Sequence, residues 1–243
     1  VTVSGVASDG SAAAAFAPDT PALPTSLTDG QSLTVPVRFA PAGNQVGALA
    51  ARLQVTYGPR AAGPLVVGLY GLSTQGQFGN NEPTLQQVVN TLGYPTNVGG
   101  NSLNLSTGTN PIGDEVNSQV FRRAAPGEIA LRPVARYSNT GQVAFGIYAA
   151  ALPNQRRQFG VLKDGNDAAQ TLYPPLEVGA SLTVDPGADL RFGVYVTTSA
   201  KTLFSEDRLN AANVIRHASR VYPVKDRSGV TLANQYLVTF EEA

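Results

Sequence analysis

The chain has 243 residues, with 17 basic and 17 acidic side chains, one histidine and no cysteine, methionine or tryptophan. Zero net charge argues against nucleic acid as the main partner, because phosphate binding normally shows as a basic excess. The absence of cysteine excludes thiol nucleophiles and cysteine-ligated metal centres, and a single histidine excludes a site with several histidine ligands. No apolar run approaches the roughly 18 residues that a membrane helix needs, so we expect no membrane span.

The start of the chain predicts an extended segment within a longer parent. The sequence begins at Val1 and contains no methionine, which suggests a processed part of a longer, exported chain. Prolines recur at three-residue spacing, at Pro18, Pro21 and Pro24, and this spacing disfavours both helix and central strand. We therefore predict an extended Pro/Ala-rich lead-in over residues 1–30.

Alternating apolar residues predict three strands next, over 33–39, 49–57 and 65–69, separated by clusters of turn residues. Residues 31–75 are accordingly predicted to form an immunoglobulin-like β segment. The following segment, 76–110, is predicted to be a helix and a polar connector. Leu85, Val88, Val89 and Leu92 fall at helical spacing after Pro83 and before Gly93, so one short helix is expected near residues 83–92.

The remainder of the chain, residues 111–243, predicts a jelly-roll-like β-sandwich. Strands are expected around 116–121, 129–137, 143–149, 190–196, 214–224 and 236–240. Together these patterns predict a mainly β fold in which an immunoglobulin-like sandwich is followed by a jelly-roll-like one.

A short internal echo links two of these strands. Residues 145–148 read Phe-Gly-Ile-Tyr, and residues 192–195 read Phe-Gly-Val-Tyr. Because side chains alternate across a strand, phenylalanine and the aliphatic residue share one face while glycine and tyrosine share the other. We expect both strands in one domain, with each glycine making room for a neighbouring aromatic ring or backbone.

The single histidine does not predict a catalytic triad. His217 has Ser219 as its nearest serine, but no Gly-x-Ser-x-Gly elbow is present. A structural role is therefore the favoured interpretation, and no catalytic residue is assigned.

Acidic residues offer two further interpretations. Three adjacent pairs, Asp114/Glu115, Glu206/Asp207 and Glu241/Glu242, could contribute to a two-carboxylate hydrolase, although surface or capping roles are favoured. Calcium is the metal that such loop oxygens suit best, and the candidate ligands are Asp164, Asp167, Glu206 and Asp207. A plain turn at residues 164–167 is favoured over a calcium site, because the full calcium-loop spacing is missing.

Nine tyrosines could provide stacking surfaces for sugars, and Tyr148 and Tyr195 of the echo are the candidate ligand-binding residues. Most tyrosines of a β-sandwich simply pack their rings. Glycans are accordingly an alternative partner.

Two stretches resemble bacterial surface proteins. Residues 33–71, with the run 35–43 (VPVRFAPAG) and the closing 69–72 (LYGL), resemble the immunoglobulin-like repeats related to the ASH/hydin type, with a shortened middle. The rest is similar to an uncharacterised secreted bacterial β domain that follows such repeats. The residues that carry this likeness lie at 81–86, 97–99, 114–116, 192–195, 204–210 and 236–243. This resemblance implies export, a cell-envelope or extracellular location, and a binding or assembly role.

The favoured prediction is a non-enzymatic, exported structural or adhesive module of a bacterial surface. Its expected partners are other copies of itself or neighbouring domains of a surface assembly. A carbohydrate-binding module, with or without calcium, is the first alternative, and a carboxylate-based hydrolase is the second.

Overall fold

Strands dominate the chain in a computed structural model that describes residues 1–58, 63–99, 110–123, 125–187, 191–213 and 215–241. Strand accounts for 43% and helix for 9%, with several antiparallel sheets, so the predicted mainly β class is confirmed. Leu190, Val214 and Glu242, which belong to predicted strands and to a predicted acidic pair, lie outside the described residues, as does most of the predicted polar connector. The two sandwich types stay predictions.

The chain divides into two compact units. Unit 1 comprises Val1–Gln75 with Thr91–Gly93, and unit 2 comprises Gly76–Asn90 with Tyr94–Ala243. Unit 1 contains six strands: β1 Thr2–Asp9, β2 Phe16–Pro18, β3 Thr25–Ser26, β4 Val37–Phe39, β5 Gly47–Gly58 and β6 Leu65–Ser73. They form a four-stranded sheet in the order β3-β1-β5-β6 and a separate β2-β4 pair.

The first 30 residues are part of this fold and differ from the extended lead-in that we predicted. β1 pairs with β5 from Thr2↔Gly58 to Asp9↔Arg52. Its register shifts between Val3 and Gly5, and such a bulge interrupts the period-two alternation by which a strand is recognised in a sequence. The same stretch supplies β2 and β3.

The core of unit 1 lies between the β2-β4 pair and the four-stranded sheet. Phe16 and Phe39 pack with ring centroids 5.0 Å apart and ring planes tilted by 39°, and they belong to a cluster with Ala51 and Leu69. Gly71 is required beside them, because a β-carbon at this position would overlap the ring of Phe39. The predicted strand over 33–39 shortens to β4, since Pro36 cannot donate a ladder hydrogen bond.

Unit 2 is built around one five-stranded antiparallel sheet with the order β11-β10-β14-β15, in which β7 also pairs with β14. Three two-stranded sheets, β12-β9, β13-β8 and β16-β17, accompany it. The elements are α1 Leu85–Thr91, β7 Phe121–Arg122, β8 Ile129–Ala130, β9 Ala135–Tyr137, β10 Val143–Ala149, β11 Leu152–Leu162, α2 Asn166–Ala169, β12 Gln170–Leu172, β13 Thr183–Val184, β14 Arg191–Thr197, β15 Thr202–Phe204, β16 Ser219–Lys225 and β17 Thr231–Phe240.

The main core of unit 2 lies on one face of β10 and β11. Phe145, Ile147 and Phe159 are at most 4% exposed and pack with partly buried apolar residues of neighbouring segments. β10 has the bounds predicted for it, whereas β11 was not predicted. Its first half is polar and exposed, so it lacks the apolar alternation that marks a half-buried strand.

The predicted helix is confirmed as α1, and its cap is clear from the structure. The N–H of Gln87 donates to the Thr84 hydroxyl (3.2 Å), and the N–H of Thr84 donates to the Gln87 side chain (2.9 Å), which is a capping box. Gly93 has φ 82°, the left-handed conformation expected just after the helix. Val89, fully buried, packs the helix against Tyr222 of β16. No described helix is long and apolar enough to cross a membrane.

Candidate functional site

The two echo strands are direct neighbours in the sheet of unit 2. β10 and β14 pair antiparallel with Gly146 opposite Tyr195 and Tyr148 opposite Gly193. A β-carbon on Gly193 would overlap the Tyr148 ring, and one on Gly146 would overlap the backbone carbonyl of Arg157. The prediction that these glycines make room for an aromatic ring and for backbone is therefore confirmed.

The paired tyrosines are interior residues. Tyr148 is 0% exposed, and its ring packs edge-on against Phe204 with centroids 5.2 Å apart. Tyr195 is 4% exposed, and the Arg156 guanidinium lies 5.6 Å from its ring centroid. Tyr148, Arg156 and Phe192 help to line a small cavity of about 120 Å³. The ligand-binding role of the two tyrosines stays a prediction, and neither ring offers an exposed face on which a sugar could stack.

Glu206 holds the buried hydroxyl of Tyr148. The hydroxyl donates to Oε1 of Glu206 at 3.1 Å, and burial raises the pKa of Tyr148, so the phenol stays a neutral donor. Arg208 donates two hydrogen bonds to the same carboxylate, from Nε (2.7 Å) and Nη2 (3.1 Å). This hydrogen bonding raises the pKa of Arg208. Glu206 thus satisfies one tyrosine and one guanidinium at the boundary of the core.

The single histidine bridges two carboxylates. Nδ1 of His217 lies 2.9 Å from Oδ1 of Asp207, and Nε2 lies 3.2 Å from Oε1 of Glu115. Carboxylates only accept hydrogen bonds, so both bonds form together when each ring nitrogen carries a proton. Arg220 donates to the other oxygen of Glu115. The side chains of His217, Glu115 and Arg220 are 8%, 4% and 2% exposed.

This network joins distant parts of the sequence. His217 and Glu115 are separated by 102 residues, and Tyr148 and Glu206 by 58. The Ser205 hydroxyl donates to the carbonyl of Gln119 (2.7 Å) and accepts from the Val194 N–H (3.1 Å). Buried charges that are paired and hydrogen-bonded in this way hold several chain segments in one arrangement.

A cleft of about 460 Å³ lies at the edge of this polar network. Its lining is almost entirely polar and consists of Asn117, Ser118, Gln119, Val120, Arg191, Glu206 and Asp207. The side chain of Gln119 fixes one wall by accepting the N–H of Asp207 at 3.1 Å. Two of the four predicted calcium ligands, Glu206 and Asp207, therefore share one cleft.

The other two predicted calcium ligands, Asp164 and Asp167, are exposed and do not line the cleft. Asp164 accepts the N–H groups of Gly141 (2.5 Å) and Gly165 (2.6 Å), which lowers the pKa of this carboxyl. Asp167 lies in the first turn of α2. Within the described ranges no group of three or more histidine, aspartate or glutamate side chains could hold a metal ion. The Asp164 carboxylate thus orders its own turn, and calcium binding stays a prediction.

Adjacent acidic residues in the sequence go to different partners. Asp114 accepts from Lys225 at 2.6 Å and from the N–H of Asn97 at 2.7 Å, and these bonds lower its pKa. Glu115 instead binds Arg220 and His217. The sequence pattern marks both acids as a pair but does not reveal the partners of Glu115, because these lie 102 and 105 positions away.

No protein-family model, curated protein or solved structure matches this chain. The resemblance to bacterial surface repeats therefore stays a prediction.

Proposed function

We propose that the protein is a non-enzymatic, exported structural or adhesive module of a bacterial cell surface or extracellular assembly. The observation that carries this proposal is the use of its charged side chains. The side chains best suited to acid–base chemistry are hydrogen-bonded to one another or to arginine and tyrosine. They are Glu115, Glu206, Asp207 and His217. They act as cross-links that fix chain segments, which is what a scaffold requires.

The hydrogen-bonding of His217 favours this role over nucleophilic catalysis. A triad histidine must hold one ring nitrogen ready to take a proton from a nucleophile. Both ring nitrogens of His217 instead face carboxylate oxygens. The antiparallel sheets support the proposal as well, because their edge strands offer backbone groups for assembly.

Cell fractionation tests the location, and a binding assay tests the role. With antibodies against the 243-residue chain, we expect the native protein in the envelope or the medium of the bacteria that produce it. The purified chain is expected to bind envelope material from the same cells. Detection of the protein in the cytoplasm alone would contradict export, and failure to bind any envelope fraction would contradict the adhesive or structural role.

The polar cleft favours glycan recognition as a second candidate function. Asn117, Ser118 and Arg191 are hydrogen-bonding side chains on its walls, and such groups suit a sugar rich in hydroxyls. A glycan array probed with and without a chelator tests this candidate and separates calcium-assisted from calcium-independent binding.

Matched variants sharpen the glycan experiment. Asn117→Ala alters the cleft, whereas Asn154→Ala alters an exposed position of β11 that is not among the cleft residues. We expect a bound glycan to be lost with the first variant and kept with the second. Absence of any array signal rejects glycan binding, and appearance of shortened glycans would favour the carboxylate-based hydrolase instead.

A further inference from the structure

β6 is an apolar edge strand with an exposed first half. In the described part of the chain it pairs with β5 alone and ends the four-stranded sheet of unit 1. Leu65, Val66 and Val67 are 55%, 50% and 45% exposed. An edge of this kind presents backbone N–H and C=O groups ready to pair with another strand.

The edge lacks the usual protection against pairing. No charged residue and no proline occurs within the nine residues of β6. β11, an edge strand of unit 2, has Arg156 and Arg157 at exposed positions. Charged side chains and proline are common ways to keep an edge strand from pairing, so β11 has a protection that β6 lacks.

The two faces of β6 differ in what they carry. Leu65, Val67 and Leu69 alternate onto one face, and Leu69 of this row packs in the core of unit 1. Leu65 and Val67 continue the row outwards, where they are about half exposed. The apolar row therefore runs on beyond the part that the core of the chain covers.

We propose that β6 pairs antiparallel with β6 of a second copy, which joins two four-stranded sheets into one of eight strands. The proposal rests on the proposed function and names its partner. In a two-fold pairing each edge strand lies beside an identical strand, so a charged residue on it would lie close to a like charge of the second copy. The uncharged β6 meets no such repulsion. Arg52, which lies opposite Gly68 on β5, is paired with Asp9 at 2.7 Å.

Side-chain size selects the register. With Val67 opposite Val67 of the second copy, Leu65 faces Leu69, and the apolar row continues from one sheet to the other. On the opposite face Val66 then lies across from Gly68, so a branched side chain meets a residue that has none. Antiparallel partners of this kind have α-carbons about 4.5–5.5 Å apart.

Single cysteines test this register, because the chain contains no cysteine of its own. We expect Val67→Cys to form a covalent dimer under mild oxidation, since its α-carbon separation fits a disulfide. Val66→Cys should not, because each copy of residue 66 faces residue 68. Val178→Cys, at a 99% exposed site, is the control for random collision. Equal cross-linking at positions 67 and 178, or cross-linking at position 66 but not at 67, would overturn the proposal.

Sedimentation of the uncross-linked chain provides the second measurement. We expect a concentration-dependent dimer, and Val67→Lys should raise its dissociation constant by about tenfold or more because two lysines would face each other. Val178→Lys should leave it unchanged. A wild-type chain that stays monomeric at all concentrations, or that pairs only with a strand of another protein, would overturn self-pairing. Fractionation and envelope binding would still test the proposed function separately.

Discussion

Gly193→Ala tests the close packing of Gly193 against Tyr148 in unit 2. The new methyl would overlap Cζ, Oη and Cε1 of Tyr148. The ring cannot move aside freely, because it is 0% exposed, packs against Phe204 and is hydrogen-bonded to Glu206 at 3.1 Å. Overpacking of this kind costs about 3 kcal/mol at the upper end of its usual range. The lower unfolded-state entropy of alanine offsets about 0.5–1 kcal/mol of this, so we expect a net loss of about 2 kcal/mol.

Urea unfolding followed by tyrosine fluorescence measures this loss. The chain has nine tyrosines, of which only Tyr57 and Tyr70 lie in unit 1, so the signal reports mainly on unit 2. A loss of about 2 kcal/mol lowers the midpoint by about 1 M urea at a typical slope. Asn154→Ala, at an exposed position of β11 in the same unit, is the control.

A second background isolates the contact from other effects of alanine. Tyr148→Leu removes the three atoms that the methyl would meet, so Gly193→Ala should cost less than about 0.5 kcal/mol in that background. An equal cost of Gly193→Ala in both backgrounds, or a cost in the native chain no larger than that of Asn154→Ala, would refute the overlap with the Tyr148 ring.

Three further predictions concern the polar groups. His217→Ala leaves the carboxylates of Glu115 and Asp207 without their shared donor and should lower the free energy of unfolding by about 3–5 kcal/mol in urea titrations. The control, Arg216→Ala at the exposed neighbouring position, should change the free energy of unfolding by less than about 0.5 kcal/mol. Equal effects of the two variants would contradict the histidine bridge. The hydrogen bond from Lys225 lowers the pKa of Asp114 below its ordinary 3.8, so its stabilisation is present above that value and lost as the pH falls through the folded pKa. Asp114→Asn should therefore reduce the decrease in thermal unfolding midpoint that occurs as the pH falls from about 5 to 2. An unchanged decrease would contradict a stabilising Asp114–Lys225 pair. Millimolar calcium should leave the thermal midpoint unchanged, because Asp164 already accepts two N–H groups; a midpoint that rises with calcium and falls again with chelator would contradict this expectation and support the calcium prediction.

Local sequence patterns predicted those elements whose apolar residues keep one regular period. β10 and α1 are clear from the sequence, since both alternate or repeat without interruption. β1 was missed because a bulge between Val3 and Gly5 breaks its alternation, and β11 because its first half is exposed and polar. The predicted strand over 129–137 is two strands, β8 and β9, since Pro133 lies between them.

The candidate site was predictable only in part, for a related reason. Glu206 and Asp207 are predicted as candidate ligands from their adjacent carboxylates, and both line one cleft in the structure. The partnership of Glu206 with Tyr148 could not be inferred, because the two residues are 58 positions apart, and the same holds for Glu115 and Arg220, which are 105 positions apart. The glycine–tyrosine echo was the exception, since strand alternation alone placed each glycine beneath something bulky. A glycine within a strand pattern can thus predict a contact with a distant residue, because the absence of its side chain leaves space that a neighbouring ring or backbone fills.

The edges of the two units connect these observations to assembly. In unit 2 the edge strand β11 carries exposed arginines, whereas in unit 1 the edge strand β6 carries only apolar, glycine, tyrosine and serine residues. The exposed, polar half of β11 lacks the apolar alternation that predicts a strand, whereas the alternation over residues 65–69 predicts the first part of β6. The apolar alternation that predicts β6 is exposed to solvent over the first half of the strand. An apolar pattern that the chain does not bury by itself is what a second copy would bury.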